Sequence, residues 1–184
     1  MNLRNLINFV FFNVVWFSCV LGAAHDRMWI GLLALAVFAG WQLAVSEDHV
    51  GDIRLLGAAA LIGWIVDTLY VQTGLLRYAS PLPTPEIAPW WIVALWLNFA
   101  LIINHSLRWL QSTPLLAGAL GLVGGPLAYY GGMELDAVFP LYPTAGTLAV
   151  IGVVWALVTP LLFGIARLTR VPEVEAEPVH LKDR

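Results

Sequence analysis

Leu95-Trp96-Leu97-Asn98-Phe99-Ala100-Leu101-Ile102-Ile103-Asn104-His105-Ser106-Leu107-Arg108-Trp109-Leu110 is apolar enough to cross a bilayer, yet it carries two asparagines, a histidine and an arginine. Hydrocarbon offers no hydrogen bonds, so each polar group on a spanning helix must face another helix or a wet cavity. The rest of the chain is therefore expected to form helices packed around this one.

Composition points the same way. Of the 184 residues 60% are hydrophobic and 11% charged, against roughly 45–50% and about 25% in soluble domains. The nine basic residues are scattered singly and form no patch for nucleic acid. Cys19 is the one cysteine; it excludes an internal disulfide, offers no metal spacing and reads as a small buried apolar residue.

Working outward, apolar stretches near the roughly 20 residues of a spanning helix recur along the chain, and none alternates as a barrel strand would. They predict an all-α, polytopic membrane bundle of six transmembrane helices: Leu6 to Ala24, Met28 to Val45, Ile53 to Thr73, Pro89 to Leu110, Pro114 to Tyr130 and Thr147 to Ala166. Arg4 before an apolar run ending Gly22-Ala23-Ala24 has the look of a cleavable signal, but the run is long for a signal core and is read as a retained span. Pro81, Pro83, Pro85 and Pro89 make the connector before span four an ordered or semi-rigid loop. Trp90 and Trp91 suit an interface.

Arginine and lysine set the orientation. With the N-terminus inside, Arg4, Arg54, Arg108, Arg167, Arg170, Lys182 and Arg184 are cytoplasmic, and only Arg27 and Arg77 lie outside. Both termini are thus expected in the cytoplasm. Residues 1–170 form the transmembrane domain, and the acidic, proline-containing tail 171–184 is expected to be disordered.

At a rise of about 1.5 Å per residue, Asp67 stands roughly 20 Å up span three from Arg54, Asn98 roughly 15 Å up span four, Asn13 about 14 Å up span one and Thr159 about 12 Å up span six. These depths predict a polar layer near mid-membrane. A carboxylate there costs about 2.5–3.5 kcal/mol even on the mild translocon scale. With no lysine or arginine at that depth, Asp67 is expected to be protonated or hydrogen-bonded to Asn98, Asn13 or water, with Tyr70 one turn further along as a donor. Either state suits proton transfer, and the bland alternative is a structural interhelical hydrogen bond.

A second polar layer is expected near the cytoplasmic interface. His105 lies seven residues after Asn98, on the same face if the helix continues, with Asn104 and Arg108 beside it. Asn8, Gln42, Glu47, His49 and Asp52 could approach from that side. Some are ligand types for zinc or iron, but no defining spacing exists and no metal is assigned. Gly121 and Gly125 are spaced for close helix packing; the alternative is a helix broken at Gly124-Gly125-Pro126. No Lys-Ser/Thr follows these glycines, so they make no phosphate loop, and no cofactor is implied.

Asn8-Phe9 through Ala24, Asp67-Thr68-Leu69, Leu95-Trp96 through Asn104-His105-Ser106-Leu107-Arg108-Trp109-Leu110, and Gly124-Gly125-Pro126-Leu127-Ala128-Tyr129 together resemble a bacterial inner-membrane family catalogued as a domain of unknown function. The resemblance covers nearly the whole chain. Similar proteins are often encoded near cyclopropane-fatty-acid-synthase-like methyltransferases and flavin-dependent oxidoreductases, which implies lipid modification but supplies no catalytic residues.

Three functions are compatible with these readings. The first is action on a lipid or other membrane-soluble substrate, with Asp67, Asn98 and His105 as catalytic candidates and Asn13, Tyr70, Asn104 and Arg108 as binding candidates; it requires a lateral apolar pocket. The second is a small proton-coupled transporter or flippase, which requires a path to both sides. The third is an accessory subunit of a membrane complex. Membrane lipids and a second copy or complex partner are the expected company; nucleic acid is not. No inverted repeat is visible between spans one to three and four to six.

Overall fold

The computed structural model describes residues 3–170, so the expectation for the tail 171–184 lies outside the described residues. Six α-helices follow one another: α1 (Leu3–Ala24), α2 (Trp29–Val45), α3 (His49–Gln72), α4 (Trp90–Ile103), α5 (Pro114–Glu134) and α6 (Thr144–Thr169). Four of them, α1, α3, α5 and α6, are long and apolar enough to cross a membrane, while α2 and α4 are shorter apolar helices. They run alternately up and down, which gives the bundle two ends.

One end carries a feature the sequence reading missed. Two three-residue strands, β1 (Leu76–Tyr78) and β2 (Val138–Pro140), pair antiparallel with Arg77 opposite Phe139. Each strand leaves its helix through a left-handed residue, Gly74 at φ +69° and Asp136 at φ +58°. The hydrogen bonds around these turns match one for one: Thr73 to Leu69 and Leu135 to Gly131, Leu75 to Tyr70 and Ala137 to Gly132, Ala79 to Ala137 and Leu141 to Leu75. Every match is offset by 62 residues (138 against 76), so α3–β1–α4 and α5–β2–α6 are two copies of one unit. Both copies run the same way through the bundle, so the axis relating them lies along the helices rather than across them.

The repeat continues inside the helices. A Cβ at Gly63 would land on the Trp96 indole, and a Cβ at Gly125 would land on the Trp155 indole. The two indoles stack on each other at 4.6 Å across the axis. Trp96 and Trp155 are therefore counterparts, and the second helices correspond with an offset of 59 (155 against 96).

The α5–α6 seam explains how prolines sit inside both helices. Helix α5 is continuous through Pro126, so the broken-helix alternative does not hold. Proline lacks an N–H, which frees the carbonyl four residues earlier. Gly152 of α6 faces the freed Leu122 carbonyl, 3.0 Å from where a Cβ would sit, and Gly118 of α5 faces the Ala156 carbonyl freed by Pro160, at 3.2 Å. Small residues let the backbones approach there. Helices α1 and α2 form a separate hairpin, closed where buried Cys19 meets Gly31, with α1 lying against α4.

Several boundaries differ from expectation, α5 running on to Glu134 and α6 from Thr144 to Thr169, and two of them bear on the site. Span four ends at Ile103, and Arg108–Ser112 is a separate 3₁₀ helix. The reason is that Gln111 donates to the terminal Ile103 carbonyl while Asn104 and Ser106 turn to partners on other elements. His105 is thus not on the Asn98 helix face. Helix α3 starts earlier than expected, at His49, because Asp48 caps it by accepting from the Gly51 amide at 2.8 Å. The proline-rich connector is tied down as expected, with Ala88 donating to Thr68 and the Trp91 indole to the Ala79 carbonyl.

Candidate functional site: a buried carboxylate beside an aromatic pocket

Asp67 is fully buried, five residues before the end of α3 at Gln72, or roughly 8 Å from the ribbon end. It lies nearer that end than the expected mid-membrane layer. Its partners also differ from expectation. Oδ1 accepts from the hydroxyls of Tyr78 and Tyr129, each at 2.5 Å, and Oδ2 accepts from the Trp96 indole N–H at 2.6 Å. Helices α3, α4 and α5 and the ribbon thus meet on one carboxyl group. Tyr129 is the residue that the 62-residue repeat places opposite Asp67, so acid and phenol face each other across the axis.

Three donors on two oxygens use three of the roughly four acceptor positions of a carboxylate, and contacts this short are in the range of charge-assisted hydrogen bonds. Burial first, and then the nearby Asp67 charge, push the Tyr78 phenol well above its usual range, which keeps its proton in place as a donor. Tyr78 was missed because strand β1 is only three residues long. The signal for it was Gly74 between an apolar helix and a short Leu-Arg-Tyr run, which permits the chain to fold back.

The other expected members of the middle layer go elsewhere. Asn98 is buried and donates to the Phe12 carbonyl of α1 at 3.0 Å, with no partner for its Oδ1 among the described residues. Asn13 bonds its own helix, donating to the Phe9 carbonyl. The buried Tyr70 ring packs edge-on against Tyr129 at 6.0 Å, and its hydroxyl has no hydrogen-bond partner among the described residues. Thr159 packs against Gly121 of α5. Counting residues gives the depth of a group along its helix but not the rotation that decides which neighbour it faces.

Beside the carboxylate lies a narrow cavity of about 80 Å³ with walls almost wholly of carbon. Phe12, Trp16 and Val20 of α1 close one side, and Trp91, Leu95 and Phe99 of α4 the other. Trp96 and Tyr129, two of the three donors to Asp67, belong to its wall. An apolar occupant would therefore lie one side chain away from a titratable group.

The far end of the bundle holds a separate polar network. Asp52 accepts from Ser46 at 2.6 Å, Asn104 at 2.7 Å and faces His105 Nε2 at 3.1 Å. Gln111 donates to Asn104 Oδ1 and accepts from Arg170. Next to it Asn8 donates to Gln42 and to the Leu101 carbonyl, and accepts from Ser106. His105 and Asn104 thus join Asp52 rather than Asp67, and Arg108 is exposed on the 3₁₀ helix. Among the described residues no three His, Cys, Asp or Glu side chains converge as a metal site.

No curated protein and no solved structure matches the chain. The description "Protein of unknown function (DUF2878)" matches residues 5–161. A match over that length, spanning both copies of the repeat, makes the chain a member of the DUF2878 family.

Proposed function

We propose that this is a multi-pass membrane protein that holds the apolar chain of a lipid or other membrane-soluble molecule in the aromatic pocket, with Asp67 as the proton donor or acceptor beside it. The observation that carries the reading is that Tyr129 and Trp96 serve both as pocket wall and as donors to Asp67. At about 80 Å³ the cavity is far below the roughly 300–1,000 Å³ of sites that enclose a whole drug-sized ligand. It suits the tip of one hydrocarbon chain, the rest of which lies in the bilayer. Buried carboxylates among apolar helices mark functional sites by default, because their cost must be met by something.

In this reading all six helices cross the membrane, both termini are cytoplasmic and the ribbon faces the other side, consistent with the arginine and lysine distribution. A bacterial inner membrane is the proposed location. Asn98, which holds α1 against α4, and His105, Asn104 and Arg108 at the far end, support the pocket from a distance or face the headgroup region; Asn13 and Tyr70 stay binding candidates of the same proposal.

A second reading, proton-coupled transport, draws support from the repeat. Transporters built from parallel repeats place substrate sites where the repeats meet, and Asp67 with Tyr129 lies on that line. The deciding experiment is untargeted lipid analysis of membranes from cells lacking the protein, restored with wild type or with Asp67→Asn at equal level. A lipid species present only with wild type supports lipid chemistry through Asp67. Identical profiles in all three sink that reading and turn attention to transport or to an accessory role.

A further inference from the structure

The repeat builds one more feature twice. Four residues of the aromatic pocket are Ala128 and Gly132 of α5 and Trp91 and Leu95 of α4. The repeat carries Ala128 onto Val66 and Gly132 onto Tyr70 at the 62-residue offset, and carries Trp91 onto Val150 and Leu95 onto Val154 at the 59-residue offset. Those four counterparts line a second groove, between α3 and α6, on the opposite side of the axis. The first groove is roofed by α1. The second has no α1 counterpart among its lining residues; it holds about 330 Å³ and lies between the exposed side chains of Leu69 and Val150.

The two copies also differ in what can be held over them. Helix α1 is fixed to α4 by Asn98, which donates to the Phe12 carbonyl. The counterpart of Asn98 on α6 is Leu157, 69% exposed and without a donor. A second helix would find no such anchor there. A flexible hydrocarbon chain needs none. Val66, Leu69, Leu75, Val150 and Val154 give the groove an apolar length, and Thr73 with exposed Tyr142 gives it a polar end beside the ribbon. An acyl chain with an ester at one end has that same order of chemistry.

We infer that the α3–α6 groove is a second site, for one acyl chain of a membrane phospholipid, with the chain along Val66 and Val154 and the ester end at Tyr142. The site stands on its own geometry and does not need the aromatic pocket to be occupied.

The test uses the full chain in nanodiscs containing a phospholipid with a photoactivatable diazirine on one acyl chain, with adducts located by peptide mass spectrometry. Adducts are expected to concentrate on residues 66–75 and 150–154, above the comparably exposed faces of α2 at Leu33 and Val37 and of α5 at Leu120, Val123 and Leu127. Two lip substitutions, Leu69→Trp and Val150→Trp, each made at an exposed position so that folding is retained, should abolish those adducts and leave the α2 and α5 adducts unchanged. Even labelling of all exposed faces would mean ordinary annular lipid and overturn the inference. So would absence of label from 66–75 and 150–154, whether another copy or a foreign helix covers them. Adducts on residues 91–99 report the aromatic pocket separately, so either site can fail alone.

Discussion

Replacing Asp67 with Asn tests the arrangement most directly, because it keeps the shape and changes only what the head group can accept. The amide has one acceptor oxygen for three donors. With that oxygen toward Tyr78 and Tyr129, the amide nitrogen meets the Trp96 N–H, donor against donor; flipped, the oxygen keeps the Trp96 N–H and the amide N–H groups donate to the two phenol oxygens, whose own protons then lose their acceptor. Either orientation leaves at least two buried donors unpaired at about 1–3 kcal/mol each, so the variant should lose about 2–6 kcal/mol. A double-mutant cycle with Trp96→Phe isolates the bond. In wild type Trp96→Phe removes a charge-assisted hydrogen bond worth about 1.5–3 kcal/mol as well as changing the ring; in Asp67→Asn the indole has either no acceptor or a neutral amide oxygen worth about 0.5–1.5 kcal/mol, so the cost should fall by about 1–3 kcal/mol. The ring change cancels in the cycle. Reversible unfolding in mixed micelles, followed by far-ultraviolet circular dichroism so that the lost indole does not bias the signal, gives all four free energies. Additivity within about 0.5 kcal/mol, or an Asp67→Asn cost below about 1 kcal/mol, would refute the carboxylate as the shared anchor of these elements.

Other outcomes follow from the same contacts. Gly125→Ala, whose new Cβ would collide with the Trp155 ring, should cost about 1–3 kcal/mol, whereas Gly57→Ala, with open space around it, should cost nothing measurable in the same unfolding assay. Asp52→Ala leaves Ser46, Asn104 and His105 without their common acceptor and should lower stability by about 2–4 kcal/mol, with faster backbone hydrogen exchange over residues 104–112; Arg108→Ala, on the exposed surface, should stay within about 0.5 kcal/mol of wild type. Asn8→Ala leaves Gln42 Oε1 and the Leu101 carbonyl without their donor, while Ser106 keeps the Asn5 carbonyl, and its loss should exceed that of Glu47→Gln, which breaks only the exposed Arg4–Glu47 contact, worth about 0–1 kcal/mol.

The helices were legible because each is a long apolar run bounded by prolines, glycines or charges. The importance of Asp67 was legible for the same reason: a carboxylate in such a run must be satisfied. Its partners were not. Depth along a helix follows from counting, but which of two groups at one depth face each other depends on helix rotation, and Asn98 turns toward α1 while Trp96, two residues earlier, turns toward α3. Nor could counting show that α4 stops at Ile103, since the side chains that end it, Gln111 above all, return from later in the chain. The repeat was hidden because it is kept in backbone geometry and in Gly63 and Gly125, while Asp67 and Tyr129, its chemically telling pair, are different residues.

That difference has a meaning of its own. Were the two halves identical at this position, a pair of carboxyls would confront each other across the axis, and like charges that close cannot both ionise; they would have to hold one proton between them. A phenol in the second half carries that proton permanently and hands the acid a donor in place of a rival. The Trp96–Trp155 stack fills the axis with like against like, whereas at Asp67 the halves must differ for the second to hand the first a proton donor.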